Sequence, residues 1–349
     1  MSNRRRLCLL AVSTVLLSGT ACSSNSTGGA ADCGLAPNGF EVHKEVVLDT
    51  PVQREFVIDS ELRKGYVPAS RRDEPGSVLI VDLDNSEIDT VTFDDGMTPW
   101  PLALDENSHL LYVGLYESYL GNNPSVAVLD ARSGERVRTL EGVGAVSLAL
   151  DEEGRRLYAI DGDTEKVSVL DPEDGATVAT IELPFRPSDL VIDETDRSLY
   201  AASTGGESGG TVAVIDLPDG TLKAVVDVKG SDGGLAIAPD GQRLYASSSY
   251  YGLVTVLDAE SGTTVDTFEN FYTPYGMARC GDALFVANRD PGYLAVADAE
   301  TGEIVQELPV GYHPDAMAID ERTGDLWVLN EGDAAETTPG LLTVVAPKA

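Results

Sequence analysis

Ala145-Val146-Ser147-Leu148-Ala149-Leu150-Asp151, Leu157-Tyr158-Ala159-Ile160, Val167-Ser168-Val169-Leu170-Asp171 and Thr177-Val178-Ala179-Thr180-Ile181 follow one another with only polar turns between them. The first run is small and apolar, suited to a strand packed near a narrow axis. The third alternates with period two, as a strand with two unlike faces does. The fourth is rich in β-branched residues, which fit a pleated surface. Asp151-Glu152-Glu153-Gly154, Asp161-Gly162-Asp163 and Pro172-Glu173-Asp174-Gly175 have the composition of tight turns. The stretch therefore predicts four short strands in one meander.

The same unit recurs along the chain. Its second-strand aromatic stands at Tyr66, Tyr112, Tyr158, Tyr200, Tyr245, Phe285 and Trp327, at steps of 46, 46, 42, 45, 40 and 42 residues. Four-strand repeats of this length are the signature of propeller blades. Solenoid coils are shorter, and sandwiches do not repeat a four-strand motif at this spacing. The expected architecture is all-β, a seven-bladed β-propeller over 40–349. The last repeat ends at its third strand, Leu341 to Ala346, while an orphan strand, Phe40 to Leu48, precedes the first. An N-terminal strand completing the last blade would close the ring and remove an open sheet edge.

Phe285-Val286-Ala287-Asn288 and Trp327-Val328-Leu329-Asn330, with Pro314-Asp315-Ala316-Met317-Ala318-Ile319-Asp320 and Gly234 to Gly241, resemble the YVTN family of β-propeller repeats. The resemblance covers about 40–349 and implies the fold. For function it implies a range, from lactonases and lyases to pure binding modules.

Arg4-Arg5-Arg6, an apolar run from Leu7 to Leu17, and Gly19-Thr20-Ala21 before Cys22 form the three parts of an export signal. The apolar run is too short for a permanent membrane span. The site resembles a bacterial lipoprotein processing site, with Gly19 where a Leu is usual, and implies a signal peptide over 1–21 and a lipidated Cys22. Residues 22–39, rich in Ser and Gly, read as a flexible tether. Cleavage after Ala21 or Ala31 without lipidation, giving a secreted protein, is the alternative. With Cys22 lipidated, Cys33 and Cys280 remain, either as one disulfide in an oxidising compartment or as two thiols.

The formal net charge is −34. Such a field repels phosphates and anionic lipid, so nucleic acid is excluded as a partner and membrane attachment rests on acyl chains. The acidic pairs Asp105-Glu106, Glu173-Asp174 and Asp320-Glu321 fall in turns on one rim, where solvation explains them. A divalent cation such as Ca²⁺ is the functional alternative, and the cofactor is otherwise undetermined.

The opposite rim, around the axial mouth, collects the rarer residue types. Candidate ligand-binding residues there are Trp100, Arg186, Asp189, Tyr275, Asn288 and His313, for a peptide, glycan or protein ligand. A catalytic reading makes His313 a general base oriented by Asp315 or Asp189. A metal-dependent lactonase would instead draw on Asp189, Asn288, Asp315 and Asn330 as ligands. Neither set has diagnostic spacing, and Asn288 and Asn330 also serve the repeat signature as turn caps. No Cys-x-x-Cys-His, Gly-x-Ser-x-Gly or His-Glu-x-x-His occurs, and the recurring Trp of quinoprotein dehydrogenase propellers is lacking, with only Trp100 and Trp327 present. The expected function is a membrane-anchored, extracytoplasmic binding module, with the lactonase or lyase as alternative.

Overall fold

The computed structural model describes residues 34–71, 74–93, 97–117, 124–194, 196–204, 209–217, 219–231, 233–238, 240–332 and 338–348. The expected Cys22 and Cys33 lie outside the described residues. Every regular element is a strand, and the strands form seven four-stranded antiparallel sheets. Blade 3 is Ser147–Asp151, Arg156–Ile160, Lys166–Leu170 and Thr177–Glu182, paired in chain order. The innermost strands are Val57–Asp59, Met97–Asp105, Ser147–Asp151, Asp189–Asp193, Gly234–Ile237, Pro274–Cys280 and Pro314–Ile319. Each touches the next, and that of blade 1 touches those of blades 2 and 7, so the ring is closed.

Blade 1, the weakest repeat in sequence, is a full blade whose inner strand has shrunk to Val57–Asp59. In blade 7, Pro314–Ile319, Leu326–Asn330 and Leu341–Pro347 come from the C-terminal end and the fourth strand is Phe40–Val47. Phe40 pairs with Pro347 and Val47 with Leu341, across one bulge between Val42 and Lys44. The expected N-terminal closure is therefore present, and no edge is left at the seam.

The repeated aromatic fastens neighbouring blades. Tyr66, Tyr200 and Tyr245 are 0–1 % exposed, and their hydroxyls donate to the carbonyls of Ala131, Ala259 and Ala299 in the following blade at 2.8, 3.2 and 3.2 Å. The Asp at the end of the third strand caps the next turn in blades 1, 2, 3, 5 and 6. Asp130 Oδ1 accepts the amides of Arg132 and Ser133, and Asp298 Oδ1 those of Glu300 and Thr301. These bonds hold both carboxyls below the usual carboxylate range.

The rim opposite the mouth has more order than solvation alone requires. Asp59, Asp105 and Asp151 end inner strands, and each Oδ1 accepts an amide of its own turn at 2.8, 2.9 and 2.7 Å. Asp59 and Asp151 also meet a cation-type side chain of the next blade. His109 Nδ1 lies 2.6 Å from Asp59, and Arg197 Nη2 2.7 Å from Asp151. Arg63 makes the same contact with Asp320 across the seam. One residue further on, Glu152 Oε1 accepts the Glu106 amide and Glu194 Oε1 the Glu152 amide. Part of the acidic rim is thus a set of cross-blade ties.

Candidate functional site

The mouth is built where inner strands begin and second strands end. Arg54 precedes the inner strand of blade 1. Tyr275 belongs to Pro274–Cys280, and Arg289 follows the second strand of blade 6, Ala283–Asn288. Asp315 belongs to Pro314–Ile319, and Glu331 follows Leu326–Asn330. These five side chains converge. The guanidinium carbons of Arg54 and Arg289 lie 5.9 and 5.2 Å from the Tyr275 ring centroid. Both cations also reach Glu331, Arg54 Nε at 3.5 Å and Arg289 Nη2 by a short bond.

Beneath them lies Asp315, with no exposed surface. Arg289 Nη1 is 3.7 Å from its Oδ1, and no hydrogen-bond donor reaches either oxygen. Burial pushes this carboxyl well above the usual range. Arg289 and Arg54 oppose the shift, and Glu331 beside it adds to it. The floor of the site is therefore a buried carboxyl whose neutral form is favoured, and its wall is two guanidiniums set over one phenol. Such a site presents hydrogen-bond donors and a flat aromatic surface to an incoming ligand.

Of the sequence candidates, Tyr275 and Asp315 fall in this cluster. His313 sits above it in a left-handed conformation (φ 51°), stacked on Tyr312 at 3.9 Å, with Nε2 3.3 Å from Asp290. Its carboxylate partner is Asp290, whereas the general-base reading pairs it with Asp315 or Asp189. Asp189 is buried at the start of its strand in blade 4. Trp100 is half-buried in blade 2, edge-on to Tyr116 at 6.2 Å. Arg186 is exposed and donates to Gly162 O and Asp163 Oδ1, both at 2.9 Å, pinning the adjacent turn of blade 3.

The two asparagines bond within the fold. Asn288 Oδ1 accepts the Tyr272 amide at 3.0 Å, and its Nδ2 donates to Val286 O. Asn330 Nδ2 donates to Leu341 O and Thr343 Oγ1, both at 3.1 Å. Asn288 is thus a turn cap, whereas Asn330 ties neighbouring strands and its buried Oδ1 has no hydrogen-bond partner. Among the described residues no group of three or more His, Cys, Asp or Glu side chains is arranged to hold a metal ion.

Sequence reasoning passed over Arg54 and gave no role to Arg289 and Glu331. A signal existed: Arg289 and Glu331 each directly follow the signature Asn of their repeat. Two neighbouring blades thus place opposite charges at one repeat position. Arg54 carries no such mark, because it lies outside the repeated core.

A protein-family model described as outer membrane protein assembly factor BamB matches residues 121–308. That description differs from the quinoprotein dehydrogenases that the scarcity of Trp argued against. It bears out a β-propeller family without singling out the YVTN repeat. The uncharacterized protein YncE of Salmonella typhi and that of Salmonella typhimurium are each 24 % identical over 191 residues, 53 % of this chain and 52 % of theirs. The chain thus spans about half the length of these curated relatives. Among solved structures, Kuenenia stuttgartiensis hydrazine synthase is similar in fold, with a TM-score of 0.68 at 18 % identity, covering 87 % of this chain and 97 % of that one.

Proposed function

The chain belongs to the PQQ_2 family of β-propellers, and from that membership we propose that it is a binding module that takes a protein ligand at its mouth. The observation that carries the reading is the Arg54–Tyr275–Arg289 stack over buried Asp315. Aromatic and Arg side chains placed together at a concave surface are the residue types that dominate protein recognition. We further read Cys22 as the lipidated anchor of an extracytoplasmic, membrane-tethered protein. Replacing Cys22 by Ala should then move the protein from the membrane to the soluble fraction.

Site-specific photo-crosslinking tests the binding role. A photoreactive residue in place of Tyr275 should join the protein to a discrete partner in intact cells, whereas one at Val178, on an outermost strand, should not. Equal labelling from both positions, or none from 275, overturns the reading. A second reading rests on Asp315, since a buried carboxyl with a raised pKa beside two guanidiniums is an acid catalyst's arrangement. No turnover of lactones or cyclic esters by the wild-type protein removes it.

A further inference from the structure

The exposed large apolar side chains fall into two groups. The aliphatic ones, Val137, Val178, Val265 and Val305 among them, lie on the outermost strand of their blades. The aromatic ones are Tyr250, Tyr251, Tyr272 and Tyr312, exposed by 55, 43, 67 and 48 %, and all stand in mouth-side turns of blades 5 to 7. A Tyr ring left half in water on a turn gains little for the fold, and four in one sector form a surface.

Two glycines show that these turns abut. A Cβ on Gly252, directly after Tyr251, would lie 2.6 Å from Phe271 O and 3.2 Å from Tyr272 O. A Cβ on Gly292 would lie 2.4 Å from Gly311 O and 3.8 Å from Tyr312 Cα. Asp290 and Thr273 are tied by bonds of 2.7 and 3.1 Å, joining the Tyr272 turn to the one before Tyr293. Edge-on contacts fix the rings, Tyr250 on Tyr251 at 5.0 Å and Tyr272 on Tyr293 at 6.2 Å. The turns that carry these rings thus run side by side as one arc, held by backbone contacts.

The electrostatics of the arc have one sign. From Tyr250 to Tyr312 the chain has no Lys and two Arg, Arg279 and Arg289, each within an ion pair with Asp240 or Glu331. The Asp290 carboxylate is 68 % exposed, and the exposed Glu307 acts on Tyr293. Phenol faces and exposed carboxylates in a chain of net charge −34 attract cations and repel anions.

We propose that this tyrosine arc docks a basic, extended segment of the protein ligand, with Lys or Arg side chains lying over Tyr250, Tyr272 and Tyr312 and paired with Asp290 and Glu307. The proposal rests on the binding-module reading and adds the chemistry of the partner.

The test titrates a fluorescent alternating Lys-Pro dodecapeptide, with a Glu-Pro dodecapeptide as control, against the full chain by anisotropy. The Lys-Pro peptide should bind, weaken with added salt, and lose at least tenfold in affinity on Tyr250→Ala/Tyr272→Ala/Tyr312→Ala. Glu135→Gln/Glu303→Gln, which removes the same kind of charge from the opposite rim, should leave affinity within twofold. An unaltered thermal melt checks that the triple variant is folded, as its exposed positions predict. Equal binding by wild type and the tyrosine variant, or equal loss in both variants, overturns the arc as the docking surface, and so does no binding at all. A crosslink from position 275 alongside such a result would leave the mouth reading standing and remove only the arc.

Discussion

Arg63 in the first blade is ion-paired with Asp320 in the last, 257 residues away, at the seam where the ring closes. Asp320 has a fully buried side chain, and that of Arg63 is 13 % exposed. The pair repeats, between the last blade and the first, the contact that Arg197 makes with Asp151 inside the ring. Arg63→Ala leaves a buried carboxylate without its cation, at a cost of about 3 kcal/mol. Arg197 is 24 % exposed, so Arg197→Ala should cost less. Thermal melts of the two variants check the order, and an equal or reversed order would mean that the seam is no weaker than any other junction.

Carboxyls on that rim set a pH dependence. Burial pushes Glu194 and Glu321 up to about 7, and Glu106, beside Asp59 and Glu152, well above its usual value. Asp151 and Glu153 push Glu194 the same way, and Arg197 with the Glu152 amide opposes them. The folded protein therefore binds more protons than the unfolded chain between roughly pH 4.5 and 7. Stability from these groups is greatest below that window and falls as pH rises through it. The melting temperature should drop from pH 5 to pH 7.5, and Glu194→Gln/Glu321→Gln should flatten the slope. Asp130, Asp258 and Asp298 are shifted downward, so their contribution is lost only in stronger acid.

The repeat made most of the architecture legible before any coordinates. Spacing of the aromatic gave blade number, and a missing fourth strand beside an orphan one gave the closure at Phe40–Val47. Strand phase also places Tyr66 or Tyr245 between blades. It does not say which side chains meet at the axis. Arg54 and Arg289 share the face of Tyr275 although the chain travels nearly once around the ring between them. Asn288 was visible as a cap for the opposite reason, since the bonds it makes are local to its own repeat and the adjoining turn.

At the mouth, charge states decide which pairs couple. Arg289 makes a short bond to Glu331 but stands 3.7 Å from Asp315, whose burial disfavours its charged form. A double-mutant cycle of Arg289→Met with Glu331→Gln should give a coupling energy of about 1 kcal/mol or more at pH 7. The cycle with Asp315→Asn should be near zero, because Asn reproduces a neutral side chain. Denaturant unfolding of the six proteins measures both. A large coupling to Asp315 would mean that it is ionised, and would remove the neutral acid from the floor of the site.

The segment before the first strand packs on blade 6 as well as pairing in blade 7. Cys280 at the end of an inner strand of blade 6 is disulfide-bonded, and it is the only Cys among the described residues. Gly34 packs against Gly281, where a Cβ would come within 2.9 Å of Gly34 Cα, and the Leu35 amide donates to Asp282 Oδ1. Cys33, the residue before Gly34 in the sequence, is the expected partner. Closing a loop of this length removes unfolded-state entropy worth roughly 5 kcal/mol in the chain-entropy view, with native strain subtracting from it. Non-reducing peptide mapping should return a Cys33–Cys280 peptide, and Cys33→Ser should lower the melting temperature as much as Cys280→Ser. A mapped bridge to Cys22 instead would remove both this pairing and the lipid anchor, since one sulfur cannot carry an acyl thioether and a disulfide.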